Sequence, residues 1–130
     1  MAQQNVNTAA KETQESSTFN GQGIPGLSPE LADSLAWLAA LKSQRMLQEE
    51  RAELIYGTLL NMVDQICNTV TDWSRPRPML PIASFRAWIE ASHIAHNQYG
   101  DLGEAAWGMA SRQLATNLAA GYAMHVNDIA

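Results

Sequence analysis

The chain has 130 residues and a formal charge of −5, from 13 acidic and 8 basic side chains, and 46% of it is apolar. That length fits one domain, and that apolar fraction fits a domain with a packed core. The eight Lys and Arg residues are scattered, so no face gathers a basic track for a phosphate backbone or an anionic membrane, and no apolar run reaches the ~20 residues of a membrane span.

Residues 1–27 read as a flexible polar tail. Gln, Asn, Ser, Thr and Gly dominate it, with Phe19, Ile24 and Leu27 among its few large apolar side chains. Such a segment buries too little surface to offset its ordering entropy. It lacks the apolar stretch of a secretory signal, so synthesis in a cytoplasm is expected. The final location stays open, with a virion or secretion among the choices. The tail's composition resembles the uncleaved leaders of type III secretion substrates. That resemblance implies, as one alternative, an exported or regulatory small helical protein.

The first helix has a clear start. Ser28 suits the N-cap, Pro29 the first helical position, and Glu30 and Asp33 the positive end of the dipole. No proline follows before Pro76, and Gly57 is only a weak breaker. Leu31, Leu35 and Leu38 form one apolar stripe, and Ile55, Leu59, Met62, Ile66, Val70 and Trp73 a second. This pattern predicts one long N-terminal helix over 29–73, continuous or gently bent, with a break near 42–51 as the alternative. Such a helix would be about 65 Å long at 1.5 Å per residue. A compact domain of ~100 residues has a radius of gyration near 13 Å, so the long form would have to pack on other subunits. Leu31, Leu35, Leu38 and Trp37, which lies off their stripe, are therefore expected interaction residues. Cys67, the single cysteine, sits among Val63, Ile66 and Val70 and reads as a small buried hydrophobe.

RPRPMLP, Arg75 to Pro81, carries the pattern of a polyproline ligand, in which Arg75, Pro78 and Pro81 would engage a groove. Its three prolines also forbid a helix. The expected role is a stiff connector that sets the angle between helices, with Met79 and Leu80 tucked beneath it. A second helix is expected over 82–99, with Phe85, Trp88, Ile89, Ser92, Ala95 and Tyr99 on its core face. Gly100 is a natural stop. Asp101-x-x-Glu104 resembles a capping box for a third helix over 102–126. No alternating strand pattern persists. The expected fold class is all-α, a bundle of three to four helices behind a polar tail.

Glu90, His93 and His96 are the metal-ligand candidates, since Glu-x-x-His on a helix is half of a carboxylate-bridged di-metal site. A full site needs a second Glu-x-x-His, and the chain has none. The expectation is therefore no metal and no cofactor, with a helical metalloprotein as the second alternative. His125 near the end of the last helix suits the negative pole of the dipole. No phosphate-cradling or nucleophile-elbow motif is present, so an enzyme is not expected. The leading expectation is a non-catalytic helical protein that works by protein–protein contact. It would be a homo-oligomer or a subunit of a larger assembly, such as a virus particle or an export machine.

Overall fold

A computed structural model describes residues 23–129. Among them are helices, turns and connectors, and no strand. α1 spans Pro29–Ala40, α2 Gln48–Cys67 and α3 Ile82–Ile129. The Ser28 side chain caps α1 by accepting from the Leu31 amide at 3.2 Å. Of the expected tail, residues 1–22 lie outside the described residues. Its last part is not free: Ile24 is buried and Leu27 packs against the core.

The long N-terminal helix does not form. α1 stops at Ala40, tightens into a 3₁₀ turn at Leu41–Ser43, and the chain restarts as α2 after an extended Leu47. At that restart Glu50 Oε1 accepts from the Leu47 amide at 3.1 Å. Neither glycine nor proline marks the break. It is held by side chains from later in the chain. The Arg51 guanidinium donates to the Leu41 carbonyl and, at 3.2 Å, to the Gln44 carbonyl. The Tyr99 phenol donates to the Leu38 carbonyl. These bonds serve carbonyls at a helix end, where intrahelical partners run out. Burial pushes the Tyr99 phenol up from its ordinary pKa, which keeps it a donor. The turn also takes Leu41 wholly into the core.

The long helical run is instead C-terminal. α3 breaks at Gly100, whose φ of 57° and ψ of −134° only glycine adopts without strain. Its two arms, residues 82–99 and 101–129, double back on each other. A Cβ at Gly103 would lie 2.0 Å from the Ala95 carbonyl oxygen, so the arms meet there backbone to backbone. Further down, Trp88 stacks on Trp107 with ring centroids 5.8 Å apart. α1 and α2 pack on each other and on α3. The core joins Leu31, Leu35, Leu38, Ile55, Leu59, Met62 and Ile66 to Ala87, Ala91, Ile94, Ala106 and Ala110.

The face expected for the first arm is rotated. Ala87, Trp88, Ala91, Ile94 and Ala95 are buried, while Phe85 and Ile89 stand in water. Alanines let α3 lie close to its neighbours, and the bulkier side chains turn out. α2 ends at Cys67 rather than Trp73. There the Thr69 hydroxyl donates to the Ile66 carbonyl at 2.6 Å and lies 2.9 Å from the Ser84 hydroxyl, tying the connector to the start of α3. Trp73 belongs to the connector, and its ring rests against Gly121.

Tyr99→Phe is expected to cost about 1–3 kcal/mol, because it leaves the Leu38 carbonyl without its donor; urea unfolding measures this, and an unchanged midpoint would show the bond to be idle. Gly103→Ala is expected to cost about 1–3 kcal/mol through overpacking. Gly57→Ala, at a helical site where a Cβ meets nothing within 4 Å, is expected to add about 0.5–1 kcal/mol. Thermal melts of both variants should move in opposite directions.

Candidate functional site

The metal-ligand candidates are not gathered into a site. His93 Nδ1 lies 4.0 Å from Glu90 Oε1 in a solvent-facing pair one turn apart. His96 points elsewhere: its Nδ1 is 2.7 Å from the Ser92 carbonyl oxygen, and its ring meets Trp107 edge-on at 5.8 Å. A ring N–H donated to that carbonyl occupies the nitrogen. Among the described residues no group of three or more His, Cys, Asp or Glu is placed to hold a metal ion. His125 lines a shallow pocket with Trp73, Gly121, Met124 and Asp128, near the end of the second arm.

The expected interaction residues divide. Leu31, Leu35 and Leu38 are buried in the chain's own core, because the turn after Ala40 folds α1 against α2 and α3. They are not available to a partner. Pro78 is buried too, while Arg75 and Pro81 are exposed. A polyproline ligand needs both prolines on one open edge, and this one turns Pro78 inward. Arg75 leans on Met79, its Nη1 3.9 Å from the sulfur. Met79 itself is exposed, against expectation, and Leu80 packs on the core as expected.

Trp37 does reach the surface, with 46% of its area exposed. It lines an open groove of about 370 Å³ between α1 and α2, with Asp33, Ser34, Glu53, Leu54, Gly57, Thr58 and Asn61. Gly57 opens the groove's wall because it has no side chain. Ser34 is buried and accepts from Gln65 Nε2 at 3.2 Å, which pins α1 to α2 beside the groove. Thr58 turns its hydroxyl back to the Leu54 carbonyl at 2.6 Å. The result is an open recess in which Trp37 and Leu54 are the large apolar side chains and Asp33 and Glu53 are two carboxylates among its polar ones.

Phe85 and Ile89, expected on a core face, form a solvent-facing row with Ile82 on the first arm of α3. Their three- and four-residue spacing is visible in the sequence, but it reads equally well as a core stripe. No helix among the described residues is long and apolar enough to cross a membrane. Comparison with protein-family models, curated proteins and solved structures finds no match for this chain.

Cys67 is half-buried, and burial, followed by the charge of Asp64, pushes its thiol pKa up. Only the thiolate reacts rapidly. Alkylation by iodoacetamide near neutral pH is therefore expected to run several-fold slower than for free cysteine; an equal rate would contradict that environment. Glu90→Ala and His93→Ala are each expected to change stability by less than ~0.5 kcal/mol, as exposed ion pairs do.

Proposed function

We propose that this chain is a non-catalytic helical subunit that works by protein–protein contact, as part of a homo-oligomer or larger assembly. One observation carries the reading: an indole, Trp37, stands half in water in an open recess beside Leu54, with the carboxylates Asp33 and Glu53 also lining it. Tryptophan is enriched among the anchors of protein interfaces, because it hides a large apolar area at little entropic cost. The neighbouring Leu54 is also exposed and extends the apolar surface.

The recess fits a partner segment that offers an apolar side chain beside Lys or Arg. The apolar group would displace water from Trp37 and Leu54, while the base would face Asp33 and Glu53. Such rim charges steer encounter and exclude acidic partners more than they add affinity. The chain's net charge of −5 favours the same choice of partner.

Light scattering on the purified chain, and on the complex drawn from its natural source, is expected to give masses above the 14.2 kDa of one chain. A mass of one chain in both preparations would overturn the reading. Trp37→Ala is expected to weaken capture of the co-purified partner by about tenfold or more, with the far-UV circular dichroism unchanged.

A further inference from the structure

We infer that the elbow between α1 and α2 holds a binding site for a phosphate group, free or at the end of a small molecule. The site is separate from the groove at Trp37 and does not depend on the contact reading. It is a recess of about 230 Å³ lined by Lys42 of the elbow, Gln48 and Arg51 of α2, and Gln98, Tyr99 and Leu102 of the α3 hairpin. Three parts of the chain, far apart in sequence, meet around this one space.

The lining carries one sign of charge. Lys42 and Arg51 are cations, and none of the described residues that line the recess is acidic. The groove at Trp37 is the opposite case, with Asp33 and Glu53 and no cation among its lining residues. In a chain of net charge −5, two cations facing one recess without a carboxylate are a local reversal of sign. Glu50, next to Arg51 in the chain, does not neutralise it, because its carboxylate accepts from the Leu47 amide. Among the described residues the Lys42 ammonium has no hydrogen bond or ion pair. A bound anion would supply the missing countercharge.

The cations are also held in place. The Arg51 guanidinium donates to the carbonyls of Leu41 and Gln44, on either side of Lys42, and the Tyr99 phenol donates to the Leu38 carbonyl. The same bonds fix the guanidinium and the turn that carries the lysine. A guanidinium has five N–H donors in a planar fork, so the two carbonyls leave others for a ligand. Polar groups reach the recess from the elbow, from α2 and from the hairpin. A planar carboxylate is served by a single fork, whereas donors set around a space suit a tetrahedral oxyanion. The recess has room for several waters, and so for a phosphate with part of the group that carries it.

The test is a titration of the full chain with sodium phosphate at pH 7.5, read by ¹H–¹⁵N NMR, with sodium chloride holding the ionic strength constant. The wild type is expected to show saturable shifts centred on the amides of Lys42, Gln48, Arg51 and Leu102, with a dissociation constant of about 1 mM or lower. Lys42→Gln is expected to weaken binding by about tenfold or more. Arg45→Gln removes the same charge at an exposed position outside the recess, and is expected to change it by less than about twofold. The melting temperature should rise with phosphate in the wild type and in Arg45→Gln, and much less in Lys42→Gln, since a ligand of the folded state stabilises it. Circular dichroism checks that both variants fold. Shifts that climb without saturating overturn the inference, as does equal binding by Lys42→Gln and the wild type. Malonate saturating these amides where phosphate does not would show a carboxylate site and overturn the phosphate assignment.

Discussion

The fold turns on how the carbonyl end of α1 is satisfied. A helix that stops leaves carbonyls without partners, and in this chain no glycine, asparagine or proline supplies the usual stop. Arg51 and Tyr99 do so instead, reaching Leu38, Leu41 and Gln44 from α2 and from the hairpin. Because the break is served from two other elements, its bonds depend on how those elements pack against α1. Once it forms, α1 lies back on α2, Leu41 is buried, and the three leucines of α1 become core rather than interface. The groove at Trp37 is a by-product of the same turn, since it exists only where α1 and α2 run side by side.

The hairpin makes a second, backbone-level demand. Its arms approach so closely at Gly103 that no side chain fits, and Ala87, Ala91, Ala106 and Ala110 are buried in the core shared with α1 and α2. Small residues draw helices together, and the bulky ones must go elsewhere. Trp88 and Trp107 fill the seam between the arms by stacking. Ile82, Phe85 and Ile89 are left on the outside. The rotation of the first arm and the uncovered apolar face are thus one fact seen from two sides.

Much of the architecture was legible along the chain. Ser28 and Pro29 start α1 where their chemistry says they should, Gly100 breaks the last helix, and the prolines after Arg75 bar a helix. The candidate site was legible only in part. Trp37 stood out because it lay off the leucine stripe, and it does reach the surface. The meeting of the carboxylates Asp33 and Glu53 in one recess was hidden, because the two residues lie on helices whose pairing the sequence does not announce. The Glu90–His93–His96 motif had the right spacing but the wrong directions, since His96 turns its ring toward the Ser92 carbonyl.

What the sequence by itself determined is local: where helices begin, where glycine and proline forbid them, and that the chain is all-α with a core. Those outcomes depend on caps, dihedral preferences and periodicity, which act over a few residues. What only the tertiary structure decided is which stripe faces inward and where a run of good helix formers breaks. Both depend on partners far along the chain: Tyr99 is 61 residues from the carbonyl it serves. Leu31, Leu35 and Leu38 and the row Ile82, Phe85, Ile89 look alike as patterns. Close packing of alanines against α1 and α2 buried the first and left the second in water.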